Sequence, residues 1–274
     1  MQARILSITA LILSCTGTAF ADDMKVGGTG AAHGLLLRLS EAFQKVSPGD
    51  RIEVIAGLGS SGAIAAAAED AIGLAIVSRD LKPEENAKGL LAEPLLHTPF
   101  MFVTSHPDPQ ALTKAQVVDI YNGTLTRWPD GKEIRPILRP KSDSASSFLI
   151  DNFEDMQAAM DELRQRIDVP VAATDQDNIE AAVTVANSFA GTTLMEIITE
   201  RPQLRPVALN GIHASVTGMQ LGAYRLKMRL DVVIKSTPSP VAQRFATFLH
   251  SEMAEKLIRE SGGAPLPART ASAQ

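Results

Sequence analysis

RIEVIAGLGSSGAIAAAAED, residues 51–70, decides how this chain is to be read. An apolar run (Ile52, Val54, Ile55) leads into Gly57-x-Gly59-x-x-Gly62 and then into an alanine-rich segment. Strand, G-x-G-x-x-G and helix, in that order, make up the dinucleotide-binding fingerprint. Asp80 stands roughly 20 residues on, where that motif expects its ribose partner. The same glycines also suit a free anion, because both uses rest on backbone N–H groups at a helix N-terminus. The rest of the chain has to separate the two readings.

The chain has 274 residues, 45% of them hydrophobic and 21% charged. That is enough for one large or two modest globular domains with a sizeable core. A formal net charge of -5, without a basic region, speaks against nucleic acid. Aromatics at 4% speak against a sugar site, which stacks rings on its ligand. At the N-terminus, Arg4 precedes the mostly apolar residues 5–13, and Ala19-Phe20-Ala21 is a cleavage pattern. Residues 1–21 therefore read as a secretory signal peptide with an apolar stretch too short to span a bilayer. No later stretch is long and apolar enough either, so the mature chain is expected to lack a membrane span and to work in the periplasm. Cleavage removes Arg4 and shifts the net charge from -5 to -6. The single cysteine, Cys15, lies inside this leader. Ser14-Cys15 resembles the end of a lipobox, but Ile12 and Leu13 fit it poorly, so lipid anchoring is the weaker reading. The mature chain then has no thiol, which excludes a disulfide scaffold, a cysteine enzyme and a thiolate metal site. Export also speaks against a free nicotinamide cofactor, which is held in the cytoplasm.

Strand and helix signals alternate along the chain, and the expectation is α/β with largely parallel sheets. Leu35, Leu36, Leu39 and Phe43 have helical spacing, residues 71–78 read as a buried strand, and residues 224–235 as a long one. Further helices are expected over 63–70, 148–153, 155–166 and 177–188, with one amphipathic helix over 240–261. Three loops share one design: 27–32, 57–62 and 142–147, each rich in Gly, Ser or Thr between a strand and a helix. A helix start leaves four N–H groups without partners and carries partial positive charge. Several such starts converging in a crevice would hold an oxyanion without a lysine. No serine sits in G-x-S-x-G. The histidines, 33, 97, 106, 213 and 250, lack metal-ligand spacing. Neither a catalytic residue nor a metal or cofactor is expected. His33, which follows the first glycine loop, is a candidate ligand contact; Trp128 reads as a packing anchor.

The order of these motifs resembles the phosphate-binding proteins of bacterial phosphate ABC transporters (PstS-like, type II periplasmic binding proteins), over nearly the whole mature chain. GGTGAAHGLLLRLSEAFQK is similar to the family's first ligand loop and helix, GLGSSGAI to its second loop, and IGLAIVSRDLKPEE to its third segment. LTKAQVVDIYNGTLTRW resembles its second-lobe helix, and RPKSDSASSFL falls where the family has an arginine and a Gly-Ser-Gly-Thr loop. The resemblance implies two α/β lobes, two mostly parallel sheets joined by two crossing strands near 100–105 and 224–235. Lobe I would comprise 22–100 and 230–274, lobe II 101–229. It implies a binding protein rather than an enzyme, without cofactor, a monomer holding phosphate or a similar small oxyanion for a membrane ABC permease. The ligand set it implies is Thr29, Gly30, Ala31, Ala32, His33, Ser60, Ser61, Ser78, Arg79, Arg139, Ser144 and Ser146. Two departures stand out: where some members have an aspartate that accepts the ligand's proton, the third segment here reads Ser78-Arg79-Asp80, as in other branches, and Asp143-Ser-Ala-Ser replaces Gly-Ser-Gly-Thr. They leave open a paralogue used for sensing or scaffolding, with its ligand changed or lost.

Overall fold

The computed structural model describes residues 22–267; the expected leader, with Cys15, lies outside them. The strands are β1 (Asp22–Gly28), β2 (Asp50–Ile55), β3 (Leu74–Val77), β4 (Leu90–Thr104), β5 (Arg135–Pro136), β6 (Ser188–Thr193), β7 (Arg205–Val207), β8 (Lys227–Lys235) and β9 (Ala264–Pro265). The helices are α1 (His33–Val46), α2 (Gly59–Ala68), α3 (Pro83–Asn86), α4 (Lys114–Tyr121), α5 (Ser144–Asn152) and α6 (Met156–Leu163). They continue with α7 (Asp175–Thr184), α8 (Leu194–Glu200), α9 (Val216–Gln220), α10 (Pro240–Phe248) and α11 (Glu252–Glu260). A 3-10 turn, Gly30–Ala32, joins β1 to α1.

The strand order is β2-β1-β3-β8-β4-β6-β5, with β7 and β9 also paired to β4. β1 runs parallel to β2 and β3, as strands linked by helical crossovers must, and β5 runs parallel to β6. Every pairing of β4 and β8 is antiparallel, so the sheet is more mixed than the alternation of elements suggests. The parallel trio has one consequence for function. Gly27 stands beside Ile55 and Gly28 beside Ile76, so the chain leaves β1, β2 and β3 at one edge. That edge, at the carboxyl ends of parallel strands, is where ligands of α/β sheets bind.

β4 carries the chain between the two halves. Its first part pairs with β8 from Leu90 to Pro99, and its second part pairs with β6 and β7 from Phe100 to Thr104. The register slips between Pro94 and Leu96, where proline has no N–H to give the ladder. The change of partners is pinned at Phe100, whose carbonyl accepts the Tyr224 hydroxyl at 2.8 Å.

Apolar spacing explains both halves of the core. α1 buries Leu35, Leu36, Leu39 and Phe43 on one face, and Phe43 meets Phe245 and Phe248 at 5.1 and 5.4 Å between ring centres. Across β4, Phe102 stacks on Phe189 at 5.0 Å and Phe100 packs on Phe148 at 4.8 Å. Each such fully buried ring or leucine contributes about 1.5–3 kcal/mol. Trp128 is buried against His106 at 5.1 Å, the anchor its loop calls for.

Several boundaries differ from the sequence reading. α2 begins at Gly59, four residues before the expected helix, which puts Ser60 and Ser61 in its first turn. The terminal amphipathic stretch breaks into α10 and α11, because the Ser251 hydroxyl accepts the Ala254 N–H at 3.2 Å and starts a new helix. Residues 188–193, next to an expected helix, form strand β6 beside β4, where Thr192 and Thr193 suit an extended backbone. The strand β5 is short, Arg135–Pro136 only.

Candidate functional site

Three serine hydroxyls meet where the parallel strands end. Ser78 follows β3 directly, and its N–H donates to Ser60 Oγ at 3.0 Å. The Ser60 and Ser78 hydroxyls are 3.1 Å apart. Ser144, the first residue of α5, brings its Oγ to 2.6 Å from Ser78 and 3.5 Å from Ser60. Each hydroxyl carries one rotatable donor and two acceptor lone pairs, so the triangle can turn hydrogens towards an acceptor. It joins positions 60, 78 and 144 from three remote segments.

Beside the triangle lies a cavity of about 140 Å³, lined by the first turn of α2, the 139–144 loop and the start of α7. Gly57 and Gly59, at φ +75° and +63°, make the left-handed turn that leads the chain into α2. The residue ahead of the helix is Leu58, which offers no side-chain cap. By contrast α4, α7, α8, α9, α10 and α11 are each capped by the hydroxyl of a preceding Ser or Thr, and α5 by Asp143. The start of α2 thus faces the cavity with no side-chain cap.

The charged wall is opposite. Arg139 is 6% exposed. Its Nη2 lies 2.8 Å from Asp143 Oδ2 and 3.3 Å from Asp175 Oδ1, while Nη1 donates to the Ala172 carbonyl at 2.9 Å. Asp143 also accepts the Ala145 N–H at 2.9 Å. Asp175 packs directly on Gly30: a Cβ built there would lie 2.5 Å from Asp175 Cβ and Oδ2. Burial raises the Asp175 carboxyl above its ordinary range, and Asp143 adds to this; Arg139 and the Gly30 and Ala31 amides oppose the shift without cancelling it. Glu196 lies deeper, with Oε2 accepting from Thr192 Oγ1 and Oε1 without a partner. Burial, and then the nearby Asp175, push its pKa well above the usual carboxylate range. Among the described residues no group of three or more His, Cys, Asp or Glu is placed to hold a metal ion.

The expected ligand set divides. Gly30, Ser60, Ser61, Arg139 and Ser144 line the cavity. Thr29, Ala31, Ser78 and Ser144 line a second space of about 10 Å³ behind it, beside Glu196. The other four, Ala32, His33, Arg79 and Ser146, line neither space. The Ala32 N–H is spent on the Thr29 carbonyl at 3.0 Å, and its methyl is buried in the core. His33 opens α1 and lines neither space. Arg79 makes a two-pronged ion pair with Glu85, at 2.9 and 2.7 Å, and reaches the cavity wall only by donating to Ser61 Oγ at 3.1 Å. Glu85, pulled down to about 2 chiefly by that pairing, is the reason Arg79 turns away. Ser146 lies two residues beyond Ser144 on α5, off its face, and donates to the Arg139 carbonyl at 3.3 Å. Asp175 and Glu196 were missed. Thr174-x-x-Asp177 is a capping box that marks α7 as a fourth helix start, so Asp175 had a legible signal; Glu196 had none.

With this geometry in hand, three comparisons bear on the family. A model of the PBP superfamily domain matches residues 16–253. The phosphate-binding protein PstS 2 of Streptococcus pneumoniae is 28% identical over 114 residues, 41% of this chain and 38% of that protein, so the match spans well under half of its length. The fold is similar to a putative phosphate ABC transporter substrate-binding protein of Clostridium perfringens, solved with bound phosphate: TM-score 0.76 and 19% identity over 89% of this chain and 100% of that one. It is also similar to an ABC-type phosphate transport receptor of Vibrio cholerae, at TM-score 0.64 and 18% identity over 89% and 100% of the two chains. Since the family model spans most of its length, the chain belongs to the PBP superfamily.

Proposed function

We propose that the chain is an extracytoplasmic solute-binding protein that captures phosphate, or a related small oxyanion, between two lobes and hands it to an ABC-type permease. One observation carries the reading: α2 starts without a side-chain cap, and its first turn shares a cavity wall with Ser144, whose hydroxyl meets those of Ser60 and Ser78. Such a helix start favours an anion through its N–H groups and its dipole, and three rotatable hydroxyls add donors. The bound species is held and released, not transformed: the serine triangle has no histidine or lysine among its hydrogen-bond partners to act as a base. The related proteins that bind phosphate support the ligand class. The leader reading of residues 1–21 supports export. Among the described residues no helix is long and apolar enough to cross a membrane. Lobe I (22–100 and 230–274) and lobe II (101–229) would each supply part of the ligand's contacts, so that the ligand favours closure by differential affinity. The protein acts as a monomer in this reading.

Calorimetric titration with phosphate, sulfate and small carboxylates tests it. Heat with phosphate is expected; silence with every oxyanion overturns the reading. A sensing or scaffolding role is favoured by the two carboxylates around Arg139, which leave no net positive charge on that wall. Phosphate released on denaturing freshly purified protein separates the two, because a transport receptor of high affinity carries its ligand through purification.

A further inference from the structure

The Gly30–Ala32 turn and the start of α1 present the same kind of donors as α2, but a protein carboxylate already faces them. Asp175 comes from α7, on the opposite side of the cleft, and sits on Gly30 with no space for a side chain between them. Its neighbour Gln176 fastens the contact by donating to the Gly30 carbonyl at 3.3 Å and to Glu200 Oε1 at 3.0 Å. Asp175 also lies 3.3 Å from the buried Arg139. Together with Ser144 it lines both the larger cavity and the small space behind it. An oxyanion seeking the Ala31 amide and Arg139 therefore meets a resident anion on the same groups.

We propose that Asp175 is an internal competitor for the oxyanion, and that ligand binding is coupled to uptake of a proton at its carboxyl. The inference rests on the oxyanion-binding reading above. Two like charges in a buried site repel strongly, and neutralising one of them relieves the conflict. The surroundings favour Asp175 as the proton acceptor. Asp143 and Glu196 face it from the 139–144 loop and α8, with Glu200 beyond Gln176; Arg139 and the Gly30 and Ala31 amides oppose them. On the α2 side Arg79 is paired with Glu85. His33 lines neither space. Burial already moves the Asp175 carboxyl upward, so an added anion would move it further in the same direction. A protonated Asp175 releases Arg139 and the Gly30 and Ala31 amides, and offers a hydroxyl hydrogen to the guest.

The test is titration calorimetry with inorganic phosphate at about pH 8, where most of it is already the dianion, in two buffers of different ionisation enthalpy. The difference in heat reports protons taken up. The wild-type protein is expected to take up a measurable fraction of a proton. Asp175→Asn, which keeps the shape without the charge, is expected to lose that uptake and to bind phosphate about tenfold more tightly. Uptake that persists unchanged in Asp175→Asn, or weaker binding by that variant, overturns the proposal while leaving phosphate binding intact. Phosphate binding by neither protein overturns it together with the oxyanion reading. Should the variant fail to fold, the wild-type protein alone decides: absence of proton uptake rejects the coupling.

Discussion

α1 and α2 start at the same sheet edge, after neighbouring parallel strands, and neither has a local side-chain cap. They differ in what the rest of the molecule sets before them. The turn into α1 receives Asp175 from across the cleft, while the start of α2 opens on a cavity of about 140 Å³ ringed by hydroxyls. The difference teaches that a glycine-rich helix start is only a capacity for an anion. Whether the anion is the protein's own or a guest depends on a residue more than a hundred positions away.

The harshest way to break the comparison is to remove the cation that steadies Asp175. Arg139→Ala leaves Asp143 and Asp175 buried without compensation, and the expected loss is about 3–5 kcal/mol of stability, read as a lower midpoint in denaturant. Phosphate binding should weaken more than tenfold as well. Unchanged stability would mean that the two carboxylates do not depend on the guanidinium. Ser60→Asp makes α2 resemble α1 by giving it a resident anion in its first turn. Repulsion of about 1–4 kcal/mol is expected, lowering phosphate affinity by tenfold or more in calorimetry. An affinity like that of the wild type would place the ligand elsewhere.

The glycines sharpen the same contrast. A Cβ at Gly28 would run into the Ile76 backbone, whereas one at Gly59 meets nothing within 4 Å but must adopt φ +63°. Gly28→Ala should therefore cost about 3 kcal/mol or more, and Gly59→Ala only about 1 kcal/mol, by thermal unfolding. Equal losses would mean that the two loops are constrained alike.

Arg79→Ala is the mildest. It removes a charge beside α2 that is already committed to Glu85, so phosphate affinity should change less than about threefold. Its mark is on stability. Glu85 is held at about 2 in the folded protein against an ordinary 4.5, so its contribution is present above about pH 4.5 and lost as pH falls through about 2. The wild-type advantage over Arg79→Ala, about 1–2 kcal/mol near neutrality, should shrink on acidification over that window. A gap independent of pH would contradict the pairing.

Much of this was legible in residues 51–70. The apolar run, the glycines and the helix were read in the right order, and with the loops at 27–32 and 142–147 they pointed to one crevice. The parallel pairing of β1, β2 and β3 brings two of those loops, and Ser78, to a single edge. What stayed hidden depends on long-range partners. Arg79 stood in the ligand set through the resemblance alone, and nothing in the sequence shows that Glu85, in α3, takes its guanidinium. The role of Ser146 turned on where α5 begins, since one residue of helical register decides which serine faces the cleft. The Thr174 capping box could have marked Asp175 as a helix start, ahead of the expected helix over 177–188, but nothing local says that its carboxylate reaches Gly30, 145 residues earlier.

The most direct test is crystallographic. Arsenate has the shape and charge of phosphate, and its anomalous scattering marks its position without interpretation of weak density. In crystals grown with arsenate, one anomalous peak is expected within hydrogen-bonding distance of Ser60, Ser78 and Ser144, at the start of α2. A peak at another surface, or none with Asp175 still seated on Gly30, contradicts the oxyanion cleft.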